Sequence, residues 1–396
     1  MLVALSMGEP DPNARARARE RRRARRRRQI RIRRAVALGV LLALGAGVAL
    51  GARAVSGRHG AAAHPAKEPR KSAARKPAGR VVPAEVRGVH VTMALASLPG
   101  RLEQYLGLPG LTAIELDVKD ENGRVGFVPS GVPLARRTGA AALYYRAKQA
   151  ARTVHAHGIY LIGRVVTFED PVLSAARPNL AIRNSDGSLW RNRDGLGWTN
   201  PYDRRVWRYN VDIAAAAAKA GFDEIQFDYV RFPSDGDISQ IRYPGPHPQP
   251  MRWTIPAFVQ YAAKRLHPLH VRVSVDVFGL SATRDLGIGQ LPRRVSRYVD
   301  AVYPMVYPSH YNSGEYGITA PDDRPGLVVS RSLADFRRAL EGRHARLTPW
   351  LQDFSLGRTY TFQDVQAQVF AAQAHHANGF LLWNPEGVYT TAALAP

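Results

Sequence analysis

The chain is 396 residues long and 45% hydrophobic, enough for a sizeable core in one large domain with accessories or in two ordinary domains. Its net charge of +24 is concentrated at one end: residues 1–85 hold 21 Lys/Arg against 5 Asp/Glu, residues 86–396 hold 35 against 27, and the latter lack the basic helices and stacking motifs of nucleic-acid modules, so nucleic acid is not an expected partner. Cysteine is absent, which excludes disulfides, thiolate metal sites and cysteine nucleophiles together while leaving the compartment open.

The chain begins with a basic tail, residues 1–34, that contains RARARERRRARRRRQIRIRR (15–34). It runs directly into AVALGVLLALGAGVALGA (35–52), an uncharged run close to the roughly 20 residues a helix needs to cross a hydrocarbon core of about 30 Å. The arginines on its N-terminal side predict that this end stays in the cytoplasm, and that everything after residue 52 lies outside, in the periplasm or at the cell surface. A cleaved signal peptide is the rival reading, because the run is short and ends in small residues; the long arginine head favours an uncleaved anchor. The tail serves mainly for orientation, with contact to anionic lipid headgroups as an addition. Residues 53–85, rich in Ala, Pro, Lys and Arg without an apolar period, read as a disordered linker.

From Val86 onward, eight β-rich segments alternate with helical ones: 86–93, 112–119, 158–166, 223–230, 271–279, 300–307, 346–354 and 379–384. Helices are expected at 140–157 and 203–220, closed by Gly158 and Gly221. Eight such repeats in about 300 residues predict an α/β chain folded as a (β/α)8 TIM barrel over 86–396. The dozen residues left after the last strand predict a short or missing eighth helix.

Period two divides each strand. Ile114, Leu116 and Val118, Ile225 and Phe227, and Val271, Val273, Val275 and Val277 form an apolar parity that should pack on the helices. The other parity is polar: Glu115, Asp117 and Lys119; Tyr160 and Arg164; Gln226 and Asp228; Arg272, Ser274 and Asp276; Trp350 and Gln352. A barrel interior that turns polar toward its C-terminal mouth, where active sites of this fold sit, accounts for the pattern. Asp117, Asp228 and Asp276 fall late in strands two, four and five. Burying three carboxylates together raises at least one pKa unless cations offset it, and Arg164, Arg231 and Lys119 are the expected offsets.

The histidines near strand ends, His90 and His310, have no metal-ligand spacing, so neither a metal nor a cofactor is expected. The loops after strands three, four and six are long and unusual. NSDGSLWRNRDGLGWTNPYD (184–203) carries Trp190 and Trp198, and YPSHYNSGEYG (307–317) begins with Tyr307. Aromatic faces bordered by polar groups suit sugar rings, although each tryptophan serves equally well as a staple holding its loop to the barrel.

The phrases AIELDVKDENG (113–123), NLAIRNSDGSLWRN (179–192), GFDEIQFDYVRFPSDG (221–236), SVDVFGL (274–280), YVDAVYPMVYPSHY (298–311), PWLQDF (349–354) and LLWNP (381–385) closely resemble a bacterial family of glycoside hydrolase TIM barrels distantly related to the α-amylase-like barrels. The resemblance spans nearly all of residues 86–390. It implies sugar-cleaving chemistry with a catalytic acid at the end of strand four, a position held here by Asp228. Chitinase-type barrels use a glutamate two residues after that aspartate; Val230 stands there, which argues against substrate-assisted chitinase chemistry.

The expected function is hydrolysis or transfer of glycosyl bonds in an extracytoplasmic polysaccharide or oligosaccharide by two carboxylates, with a non-catalytic glycan-binding barrel at the cell envelope as the alternative. Asp228 is the expected nucleophile, Asp276 the general acid/base of a retaining mechanism, and Asp117 the reserve acid. Arg164, Arg231, Trp190 and Trp198 are expected to contact the sugar, together with Tyr307, Gln352 and Trp383.

Overall fold

The computed structural model describes residues 81–395. The basic tail, the apolar run and the linker up to residue 80 lie outside the described residues, and among the described residues no helix is long and apolar enough to cross a membrane. The last residues before the first strand are tied to the barrel, since Arg346 Nη2 donates to the carbonyls of Pro83 and Ala84 at 2.9 and 2.9 Å.

All eight expected strand segments form, every one parallel to its neighbours. β1 (Val86–Val91) pairs with β2 (Ala113–Lys119), then β3 (Tyr160–Val166), β4 (Glu224–Asp228), β5 (Arg272–Phe278) and β6 (Ala301–Val306) follow in order. The seventh stave is split into β7 (Arg346–Leu347) and β8 (Trp350–Gln352) around Pro349, whose ring nitrogen has no hydrogen to give a ladder. β9 (Gly379–Trp383) pairs with β8 on one side and β1 on the other, so the ring closes. Gly379 makes that closure possible: its φ is 102°, and a Cβ there would lie 1.9 Å from the Val86 carbonyl oxygen.

Period two sorts the side chains as expected over most of the ring. Ile114, Leu116, Val118, Ile225, Phe227, Val273, Val275 and Val277 join the main core with the helices, while Tyr160, Ile162, Tyr303, Trp350 and Leu381 form a smaller core inside the barrel.

The five longer helices are α1 (Ala147–Ala156), α2 (Arg204–Ala220), α3 (Met251–Leu266), α4 (Pro325–Ala339) and α5 (Phe362–Ala374). Asp203 caps α2 by accepting from Arg205 N, and Gly221 ends it in the left-handed region. Thr361 and Asp364 form a reciprocal capping box on α5. The helix expected at 140–157 starts seven residues late because the chain before it is pinned to Val125: Val125 N donates to Ala140 O at 2.9 Å and Ala142 N to Val125 O at 3.0 Å. After β9 there is only a 3-10 turn, Thr391–Leu394. In place of an eighth helix, hydroxyl contacts tie the C-terminal segment to the first βα unit, Tyr389 to His90 O at 2.5 Å and Tyr105 to Gly387 O at 2.7 Å.

Candidate active site

β4 ends in Asp228, and the chain then turns sharply: Tyr229 has φ 47°, a conformation a side-chain-bearing residue rarely holds. Asp228 Oδ1 accepts from Tyr229 N at 2.6 Å. Its Oδ2 takes two bonds from Arg164 on β3, from Nε at 3.0 Å and Nη2 at 2.8 Å. Arg164 Nη1 turns the other way, to Asp117 Oδ1 at 2.9 Å and Glu121 Oε2 at 3.2 Å. Burial opposes the charge of Arg164, but the carboxylates around it, Asp228 foremost, hold its pKa well above the ordinary value. Asp117 is further committed by accepting from Met93 N at 3.3 Å.

Behind this network, the register of β1 on β2 sets His90 opposite Glu115, and His90 Nδ1 meets Glu115 Oε2 at 2.6 Å. Burial raises Glu115. Burial also works against a charged His90, yet Asp117 and Glu115 outweigh it and raise the imidazole.

Asp276 lies one step past the last paired residues of β4 and β5, Phe227 and Val275, so it stands beside Asp228 at the same height. Its surroundings differ. Oδ1 accepts from Gln226 Nε2 at 2.5 Å and from Trp350 Nε1 at 2.8 Å, and among the described residues no group bonds Oδ2. Burial, followed by the charges of Asp228 and Glu115, pushes the Asp276 carboxyl well above the usual range, against the pull of the two donors.

Both aspartates face a cavity of about 430 Å³ at the C-terminal mouth, lined also by Arg164, Arg231, Tyr307 and Trp383. Trp383 meets Trp350 edge-on at 5.7 Å and lies 4.6 Å from the His90 ring. The arrangement joins a carboxyl group fixed by a guanidinium, a second carboxyl beside it whose pKa burial raises, and aromatic walls. It equips the cavity for acid–base and nucleophilic work on a ring with apolar faces.

Five sequence expectations are revised. Lys119 was to face the acids, but the pairing of β2 with β3 shifts between Asp117 and Lys119 and turns the lysine outward. Its ammonium meets Asp170 Oδ2 at 2.8 Å, Val166 O at 2.7 Å and Asn210 Oδ1 on α2 at 3.1 Å. Trp190 and Trp198 are 1% and 0% exposed and off the cavity wall, their ring N–H groups donating to Asp237 O and Glu169 Oε2. They staple the loop instead of offering a platform. Gln352 is equally buried, accepting from Ser309 N at 3.1 Å and donating to Phe354 O at 3.0 Å, so it braces the loop after β6. Asp117 is held by Arg164 and Met93 and does not line the cavity. The sequence reading also missed the His90–Glu115 pair, for which the shared inward parity of the two residues was the available signal, and Glu169, for which there was none.

The comparisons agree with this architecture. Residues 88–389 match the model of a family described as "Putative glycosyl hydrolase domain". Among solved structures, the glycoside hydrolase domain of PgaB (BpsB) from Bordetella bronchiseptica is 14% identical, over 79% of this chain and 99% of that one, with a TM-score of 0.56. The catalytic domain of β-amylase from Paenibacillus polymyxa is 12% identical over 78% and 94%, with a TM-score of 0.52. A hypothetical protein from Ruminiclostridium thermocellum is 35% identical over 48% of this chain and 97% of its own, with a TM-score of 0.44. The first two likenesses are likenesses of fold. No curated protein matches the chain.

Proposed function

The chain belongs to that family of glycosyl hydrolases, and we propose that it cleaves glycosidic bonds with Asp228 as nucleophile and Asp276 as general acid/base. The observation that carries the assignment is the contrast between two adjacent carboxyl groups on one cavity. Asp228 is fixed by two bonds from Arg164, while Asp276 has no ion-pair partner among the described residues and burial raises its carboxyl, which favours its holding a proton. Asp276 Oδ2 delivers that proton to the leaving oxygen as Asp228 attacks the anomeric carbon. Water then enters, Asp276 takes its proton, and the bond to Asp228 breaks.

Neighbouring strands run about 4.8 Å apart, which favours the roughly 5–5.5 Å carboxyl separation of retaining enzymes over the wider inverting gap. Trp383 and Tyr307 serve as the sugar platforms. Asp117 acts through Arg164, holding the guanidinium against Asp228.

The substrate we propose is an extracytoplasmic polysaccharide or oligosaccharide. The support is the arginine head (15–34) followed by the apolar run (35–52), which specify an anchor with the barrel outside, joined through the linker (53–85). Full-length protein recovered in the soluble cytoplasmic fraction would overturn the location.

One observation favours a binding-only barrel: the Asp228 oxygens already have protein donors. Turnover of bacterial envelope polysaccharides, followed by reducing-end release, separates the two readings. Asp228→Asn is expected to lower kcat by about 10⁴-fold, as loss of a nucleophile does. Near-normal turnover in that variant, or products of inverted configuration by proton NMR, would sink the assignment.

A further inference from the structure

Arg231 follows the strained turn at Tyr229 and forms part of the cavity wall. Its Nη1 donates to Phe232 O at 3.2 Å and Ser234 Oγ at 3.0 Å. Nε and Nη2, which make up the other edge of the guanidinium, have no hydrogen-bond partner among the described residues, and neither atom is fully buried. Three aromatic rings surround the group, Phe278 at 4.7 Å, Tyr229 at 4.9 Å and Trp198 at 5.0 Å, and hold it in place without neutralising it.

The two arginines of this cavity are thus opposites. Arg164 pairs with three carboxylates, whereas among the described residues none pairs with Arg231. Tyr229, Glu169, Asp228 and Asp235 act on it through space without bonding it, and Glu169 has its Oε2 occupied by Asn192 and Trp198 and its carboxyl pushed by burial up to about 8, so it offers little charge at neutral pH. A buried cation is costly unless something pairs with it, and the free edge of Arg231 has the fork geometry that binds a carboxylate or phosphate through two parallel bonds. The excess of basic residues over 86–396, 35 against 27, favours approach of an acidic polymer.

We infer that the sugar bound beside Asp228 carries an anionic group, a uronate carboxylate or a phosphate ester, gripped by Arg231 Nε and Nη2. This rests on reading the cavity as a glycosidase active site.

The test is calorimetric titration of the full-length protein with D-glucuronate, D-galacturonate and D-glucose 6-phosphate against D-glucose and D-galactose. At least one anionic sugar should bind about 10-fold or more tightly than its neutral counterpart, as a charge-assisted pair of hydrogen bonds requires. The uronates and the phosphate form separate arms that identify the group. Arg231→Gln should erase the preference. If thermal melting reports that variant unfolded, Arg231→Lys is read in its place, and it should weaken the preference by losing the fork.

Equal binding of charged and neutral sugars, no binding of any anionic sugar, or a preference unchanged in the folded variant would overturn the inference. Preference for an anion in a protein that cleaves no glycan would instead count against the glycosidase reading alone. Cleavage of neutral glycans without anion preference would count against this inference alone.

Discussion

At the start of β4, deep on the N-terminal side of the barrel, Glu224 is 2% exposed and accepts from the Tyr160 hydroxyl at 3.0 Å. At the mouth, Asp276 is 1% exposed and accepts from Gln226 and Trp350. Burial raises both carboxyl groups, so by protonation the two ends of the barrel look alike. They differ in company. The floor acid takes hydrogen bonds from the hydroxyls of Ser274, Tyr303 and Tyr160, makes no ion pair among the described residues and does not line the mouth cavity, whereas the mouth acid stands beside an Arg164–Asp228 pair and opens onto space that a sugar ring can enter. A raised pKa therefore marks burial at both ends, and it marks chemistry only where access and a partner of contrasting charge accompany it.

Replacing Asp276 tests the mouth. Asp276→Asn should lower kcat about 10³-fold on substrates with a sugar leaving group and far less on nitrophenyl glycosides, whose leaving group needs no proton. In the proposed mechanism the acid form is the working form, so wild-type kcat should fall as pH rises through the raised pKa, and that alkaline limb should vanish from the variant's profile. A limb that persists would move the acid elsewhere.

Trp198→Ala probes the staple that holds the loop after β3. As a fully buried ring it should cost about 3 kcal/mol of stability in denaturant unfolding, the scale for emptying a large core site. Unchanged stability with weaker sugar binding would return it to the role of platform.

Glu169 sharpens the link between burial and pH. Its carboxyl titrates near 4.5 when unfolded and at about 8 when folded, so the folded state binds the extra proton between those values. Its contribution to stability is whole below pH 4.5 and declines as pH rises to 8, by at most about 1.4 kcal/mol per unit. Glu169→Gln should melt higher relative to wild type at pH 8 than at pH 4.5, by a difference of about 2 kcal/mol once relaxation is allowed for.

The smallest effect belongs to the floor. Glu224→Gln should leave kcat within about twofold of wild type, because the residue touches neither cavity nor network. A large loss of turnover would break the distinction between the two ends.

The ring of strands was legible because a parallel barrel repeats one simple pattern eight times, and period two placed Asp228 and Asp276 on the inner face before any contact was known. Lys119 was not legible, because a single shift in pairing with β3 reverses parity after Asp117, and nothing in the local residues announces it. Trp190 and Trp198 could not be sorted either: a tryptophan in a polar loop has the same neighbours in sequence whether its ring faces sugar or core. The free edge of Arg231 is a property of what fails to reach it from other segments, so no local pattern encodes it.

Gly379 has a consequence for the order in which the molecule assembles. The pair that shuts the ring, β9 on β1, joins the last strand made to the first, so closure is the most non-local event in folding and forms among the slowest contacts. Until it happens, β1 and β9 are open edges with unpaired amides, the state most prone to sticking to another chain. A side chain at position 379, meeting the Val86 carbonyl at 1.9 Å, would prolong that interval by obstructing the final docking step. Its signature would be slow refolding and aggregation before any change in the chemistry at the other end of the barrel.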